Sequence, residues 1–243
     1  MAAARLRRSS ITAGGPRQHA PGPELSRWEA VISITAGTLA YIEDYLREDD
    51  ALINARRCAA EVGGAAPVSA LTGGTLRFAA AAVGARAVVE IGTGCGTSGI
   101  CLLRGMRPGG VLTSVDVEPE HQRLARAAFV AAGFPPSRYR LIGGLALEVL
   151  PRLADAAYDM VFCDGDRQEF GAYLTAALRL LRQGGVVVFN AVMPGSVPGG
   201  RVPTETEATA AAELRDQVRD DERLVPLLLP IGNGVLAAVK QAD

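Results

Sequence analysis

At 243 residues, with 49% apolar and 21% charged side chains, the chain can build a sizeable core and is far from a disordered composition. A net charge of −1 offers no field for nucleic acid or an anionic membrane, and two histidines, His19 and His121, exclude a histidine-rich metal cluster. No apolar run approaches the ~20 residues of a membrane span, and the N-terminal arginines are not followed by a signal-type apolar segment. Cys58, Cys95, Cys101 and Cys163 form no C-x-x-C pair, and three of them fall in or beside apolar runs. They read as reduced thiols of a soluble, cytoplasmic protein.

Residues 1–25, rich in Ala, Arg, Gly and Pro without helical or strand period, are expected to form a disordered leader. Residues 26–84 come next as a helical cover. Its first helix, Trp28–Arg47, carries Trp28, Val31, Ile32, Leu39, Ile42 and Leu46 at helical spacing. The second and third helices are Asp50–Val62 and Leu71–Val83. From 85 to 243 the pattern becomes α/β. Apolar runs at Ala87–Ile91, Val111–Val117, Tyr139–Ile142, Met160–Cys163 and Val186–Phe189 alternate with helical segments at Ser98–Met106, Glu120–Ala132, Leu145–Leu153 and Phe170–Leu181. Strands apolar on both faces and joined by helices belong to a parallel sheet covered on both sides, and right-handed crossovers make that sheet doubly wound. A last helix, Thr204–Arg219, leads to Leu224–Leu229 and Val235–Val239, with Asn233-Gly234 between them as a hairpin signal. A sheet closing this way contains one antiparallel strand.

The chemistry concentrates at Glu90-Ile91-Gly92-Thr93-Gly94-Cys95-Gly96-Thr97-Ser98, which succeeds a strand and opens a helix. Glycines there allow positive φ and close approach of a ligand to the backbone. The spacing is G-x-G-x-G. A dinucleotide fingerprint would need its third glycine where Thr97 stands, which argues against a nicotinamide-dependent oxidoreductase. Glu90, just before the loop, favours a cationic amino-acid ligand such as S-adenosylmethionine, whose methionyl ammonium it would face. Asp116 ends the second strand, placed for both ribose hydroxyls. Gly143-Gly144-Leu145-Ala146 ends the third, and small residues there, Ala146 among them, can admit an adenine edge.

VVEIGTGCGTS, TSVDVEPEHQRLAR, ALEVLPRL, YDMVFCDGDR, YLTAALRLLRQGGVVVFNAVMPG and LPIGNGVLAAVK occur in order from Val88 to Lys240. Together they resemble the small-molecule O-methyltransferases of the catechol and caffeoyl-CoA type. The resemblance implies a Rossmann-like, doubly wound seven-stranded sheet with an antiparallel last strand, plus N-terminal helices. It also implies S-adenosylmethionine as methyl donor, a small phenolic-type acceptor, and a homodimer. It carries cofactor contacts onto Val68, Glu90, Gly92, Thr93, Ser98 and Asp116, and onto Asp164 and Asp166 after strand four. Asp164 would also be a divalent-metal ligand.

The chain departs from that pattern in two places. Metal-dependent members complete their site with an Asp-Asn pair after strand five. Here the sequence reads Val188-Phe189-Asn190-Ala191, so that Phe189 takes the aspartate's place and Asp164 and Asn190 remain as ligands for Mg²⁺. The lysine after D-x-D is Arg167, a very poor general base but able to stabilise an oxyanion, or else a solvated surface charge. Asp164 and Arg167 are the candidate catalytic residues, Asp164 orienting or deprotonating the acceptor hydroxyl. A member that only binds the cofactor, and methyl transfer to an amine or thiol, are the alternatives. The acceptor is not legible: the loop Met193–Pro203 that would help shape its site is a variable type of surface element.

Overall fold

The computed structural model describes residues 36–63, 65–194 and 202–241. The leader, the start of the first expected helix and the middle of the 193–203 loop lie outside the described residues. The first described helix is α1 (Ala36–Leu46), and the chain divides between Tyr41 and Ile42. The sheet and its covering helices belong to the second unit, from Ile42 on.

Seven strands form one sheet: β1 (Ala87–Ile91), β2 (Val111–Asp116), β3 (Tyr139–Gly143), β4 (Tyr158–Cys163), β5 (Leu181–Asn190), β6 (Leu224–Leu229) and β7 (Val235–Lys240). Their order is β3-β2-β1-β4-β5-β7-β6. The β1–β2, β1–β4, β2–β3 and β4–β5 pairs are parallel, whereas β7 runs antiparallel to both β5 and β6. This is the expected doubly wound sheet with its reversed last strand. The order switches direction between β1 and β4, and a crevice opens beyond strand C-termini at such a switch.

Alternation along each strand divides the core in two. On one face Val88, Leu112, Met160, Phe162 and Val188 pack with Leu52, Leu76, Ile100, Leu102 and Phe129. These partners come from α2 (Asp50–Glu61), α3 (Ala70–Ala82), α4 (Thr97–Gly105) and α5 (Pro119–Ala131). On the other face Val89, Ile91, Val161, Val187 and Phe189 pack with Val149, Phe170, Leu174, Leu214 and Val218. Those partners come from α6 (Ala146–Val149), α7 (Phe170–Leu180) and α8 (Glu205–Asp220). The cover helices α2 and α3 are thus built into the same core as the sheet. Their starts are fixed by capping: Asp49 accepts from the Leu52 N–H and Ser69 from the Thr72 N–H, which satisfies helix-end donors.

Two elements differ from expectation. The helix expected over Leu145–Leu153 is only α6, continued by a 3-10 turn at Leu150–Arg152, because Pro151 has no N–H to extend the α-helical pattern. Strand β5 begins at Leu181 rather than Val186, with a register shift opposite Tyr158–Met160 that takes up Arg182-Gln183-Gly184-Gly185. The hairpin forms as expected, Leu224–Leu229 and β7 being joined by the five residues 230–234, whose positive-φ residues are Gly232 and Gly234.

Helices α3 and α4 cross closely at Gly105, where an added Cβ would lie 2.3 Å from the Arg77 carbonyl oxygen and 2.9 Å from Ala80 Cβ. Backbone cannot yield as a flexible side-chain end can. Gly105→Ala is therefore expected to destabilise the protein by about 1–3 kcal/mol. Thermal unfolding checks this; an unchanged Tm would show that the helices can separate at no cost.

Candidate functional site

A cleft of about 850 Å³ opens beyond the C-terminal ends of β1, β2, β4 and β5, and its wall takes in the glycine loop, Asp116, Ala146, Asp164 and Asn190. The site is built around one close approach. The Gly92 N–H bonds the Val115 carbonyl and the Asp164 N–H bonds the Ile91 carbonyl, each at 2.8 Å. Gly92 has φ +91°, and a Cβ there would sit 2.5 Å from the Asp164 carbonyl oxygen. Only glycine permits both the left-handed backbone and this contact.

The loop is then tied to β2. The Gly94 N–H donates to Asp116 Oδ2 and the Glu118 N–H to Asp116 Oδ1, both at 2.9 Å. A carboxylate oxygen accepts more than one hydrogen bond, so Asp116 is oriented while it still faces the cleft. His121 lines the same stretch, its Nδ1 3.5 Å from Asp116 Oδ2. Thr93 Oγ1 lies 2.7 Å from Ser114 Oγ, and Ser114 donates to Glu90 Oε2 at 2.6 Å. Glu90 is fully buried behind the loop, and among the described residues its Oε1 has no hydrogen-bond partner; nor has Thr97 Oγ1. Burial pushes the Glu90 carboxyl up to about 7, against the hydroxyls of Ser114 and Ser98, and the charges of Asp164 and Asp116 add to the rise.

Val68, buried, lines the cleft from the loop before α3. Its carbonyl accepts from Arg56, which in turn holds Glu48 through two hydrogen bonds of 2.6 Å. Sequence reasoning missed Arg56, because nothing local links an arginine on α2 to a carbonyl twelve residues on. It also missed Ser114, whose place two residues before Asp116 puts it on the same side of β2.

At the β4–β5 end, Asn190 Nδ2 donates to Asp164 Oδ1 at 2.9 Å, while Asn190 Oδ1 is buried without a partner among the described residues. Burial pushes the Asp164 carboxyl up to about 7, opposed by the Asn190 hydrogen bond and the Arg167 charge. Arg167 is 6% exposed and lines the cleft, which excludes its reading as a solvated surface charge; its Nη2 donates to the Ala191 carbonyl. Asp166 also lines the cleft but is exposed, and its Oδ1 accepts from the Gln168 N–H at the start of a 3-10 turn. Phe189 is not in this wall. Its ring is fully buried on the opposite side of β5, 5.3 Å from the Phe170 ring. The two residues after Val188 that do line the cleft are Asn190 and Ala191, so the aromatic ring expected beside Asp164 is absent from the site. Ala191 has φ +60°, a strained backbone for a residue with a Cβ.

Residues 46–241 match the O-methyltransferase family. The chain belongs to that family. A Mycobacterium tuberculosis protein named "Probable O-methyltransferase" is 45% identical over 225 residues, covering 93% of this chain and 95% of its own. Among solved structures, the O-methyltransferase of Bacillus cereus in complex with SAH is 27% identical with a TM-score of 0.73, over 84% of this chain and 97% of that one. TomG of Streptomyces achromogenes, an O-methyltransferase of tomaymycin synthesis in complex with SAM, is 28% identical with a TM-score of 0.74, over 90% and 99%. In this O-methyltransferase no described helix is long and apolar enough to cross a membrane.

The buried Glu90 makes the family member's stability depend on pH in a definite direction. Its carboxyl is raised in the folded state from 4.5 to about 7, so the folded protein holds the extra proton between those values and loses stability as pH rises through them. Above about pH 7 the full cost applies, roughly 3 kcal/mol at ~1.4 kcal/mol per unit. Glu90→Gln, which carries no charge, is expected to unfold at higher urea than the parent at about pH 8 and to show no such gain at about pH 5. Equal midpoints at both pH values would contradict this.

Proposed function

We propose that the protein transfers the methyl group of S-adenosylmethionine to a hydroxyl of a small, phenolic-type molecule. The observation that carries the reading is the single cleft wall joining the pinned glycine loop and Asp116 to the Asp164–Asn190 pair. Two features fit the donor. Thr97 Oγ1 and Glu90 Oε1 are buried polar atoms without partners among the described residues, both around the glycine loop, and open space stands over Gly94. The Bacillus cereus and Streptomyces achromogenes relatives are complexes with SAH and SAM.

When bound, S-adenosylmethionine supplies an electrophilic methyl group on a sulfonium. In this reading Asp116, held by two backbone N–H groups, takes the ribose hydroxyls. Ala146, at the first turn of α6, borders the adenine, and Val68, Gly92, Thr93 and Ser98 border the methionine part. Glu90 and Asp166 provide negative charge towards its ammonium. Asp164 takes the proton of the acceptor hydroxyl and aims the oxygen, while the walls exclude water. Arg167 adds fixed positive charge beside the forming oxyanion. A homodimer in the cytoplasm completes the proposal; free thiols and the apolar Val225, Leu227 and Leu228 exposed on β6 support it.

Titration calorimetry of the full chain with S-adenosylmethionine tests the donor, and loss of two hydrogen bonds in Asp116→Ala is expected to weaken binding about tenfold or more. Absence of binding by the parent would overturn the reading. With an accepted phenol, Asp164→Asn is expected to lower kcat about 100-fold. Unchanged turnover would remove Asp164 from the chemistry, and tight binding without turnover on any acceptor would mark a binding protein instead.

A further inference from the structure

We propose that this cleft works without a divalent metal, Asp164 and Asn190 gripping the acceptor directly and the Arg167 guanidinium supplying the site's positive charge. The inference rests on the methyl-transfer reading and concerns how that site is built. Mg²⁺ asks for near-octahedral oxygen donors, usually with one or two carboxylates free to reach it. Around Asp164 each of the other carboxylates already accepts a hydrogen bond from a neighbouring group. Asp166 caps the 3-10 turn through Gln168, Glu169 Oε2 accepts from the Tyr173 hydroxyl at 2.6 Å, and Glu207 closes the capping box with Thr204. Among the described residues no group of three or more His, Cys, Asp and Glu side chains has the arrangement to hold a metal ion.

The two cleft positions after β5 point the same way. The Asp-Asn pair that the resemblance implies for metal-dependent members has its structural counterpart at Asn190 and Ala191, one residue beyond its place in the sequence motif, since Phe189 faces the core. One donor is therefore the uncharged amide oxygen of Asn190 instead of a carboxylate, and the other position has no donor side chain. At the second position the Ala191 backbone carbonyl accepts from Arg167. A cation is thus already in place on the cleft wall. A second positive ion beside it would meet repulsion and a donor set short of carboxylate.

What the pair does offer is a matched receptor for an X–H group. Asn190 Oδ1 is an acceptor on a residue only 3% exposed, without a partner among the described residues, on the wall of the cleft. The hydroxyl of the acceptor donates to it or to Asp164. In the transfer the O–H bond breaks and its proton passes to the Asp164 carboxylate and on to solvent. The oxygen lone pair forms the new O–C bond as the S–C bond breaks, and the sulfur keeps that electron pair. No oxidant, reductant or further ion is needed for the balance. Arg167, whose Nη2 donates to the Ala191 carbonyl, is a positioning residue that also sets the local field.

Calorimetry on the full chain tests this in two stages. The first titrates S-adenosylmethionine, and failure there would refute the methyl-transfer reading itself. The second titrates Mg²⁺, then Mn²⁺ with its spin-resonance signal as readout, into the cofactor complex. No saturable uptake is expected, and turnover of an accepted phenol should change less than about twofold on chelation. Saturable uptake, or a loss beyond about tenfold on chelation, would overturn the proposal. The double variant N190D/A191N is expected to gain Mn²⁺ uptake; a folded double variant that takes up none would overturn the assignment of the missing donors. Arg167→Gln should lower kcat with little change in cofactor affinity and Arg167→Lys should recover part of it, whereas parental kcat in Arg167→Gln would show that the guanidinium is not the site's cation.

Discussion

The backbone contact between Gly92 and Asp164 is the constraint on which the rest of the site depends. Strands β1 and β4 are neighbours at the point where the sheet changes direction, and their ends meet so closely that no Cβ fits at Gly92. One side of this contact leads into the glycine loop, the Gly94–Asp116 hydrogen bond and helix α4. The other leads through the Asp164 side chain to Asn190 and the turn after β5. The Asp116 end of the cleft and the Asp164–Asn190 end are therefore two ends of a single backbone junction. Their relative position is set by sheet register rather than by flexible side chains, which is how a site holds reacting groups within the tolerance that transfer chemistry requires.

Around this junction the buried polar groups fall into two kinds. Some are satisfied and serve to position others: Ser114 beneath Thr93 and Glu90, and Arg56 under Val68. Others are buried without partners among the described residues: Glu90 Oε1, Thr97 Oγ1 and Asn190 Oδ1. Buried polar atoms of that kind cost stability, and two of them, Thr97 Oγ1 and Asn190 Oδ1, belong to residues of the cleft wall, where a protein can give up stability for a ligand. The strained backbone at Ala191 belongs with them, since it too lies on the cleft wall.

Much of this architecture is legible in the sequence. The strands are readable because runs such as Ala87–Ile91 and Met160–Cys163 are apolar on both faces, and the glycine loop because its spacing dictates backbone geometry. Asp116 and Asp164 are legible because an acid at a strand's C-terminal end has few other places to point. Less legible is the phase of β5: alternation says that Phe189 and Asn190 face opposite sides but not which faces the cleft, and Phe170 on α7 decides it. Arg167 is ambiguous for a similar reason. Its burial is set by the Ala191 carbonyl, twenty-four residues away and brought near by the β4–β5 pairing, which no local pattern encodes. Strand and helix ends slip where a bulge or a proline intervenes, at Arg182–Gly185 and Pro151.

Gly92→Ala tests the organising role of the Gly92–Asp164 junction most directly. The added methyl meets backbone at 2.5 Å on a left-handed φ, so the two strand ends must move apart. Measured together by calorimetry and thermal unfolding, the variant should bind S-adenosylmethionine more than about tenfold more weakly and also unfold at lower temperature, through backbone strain and overpacking at one point. A Gly92→Ala protein with parental affinity and parental Tm would contradict the claim that this junction organises the site.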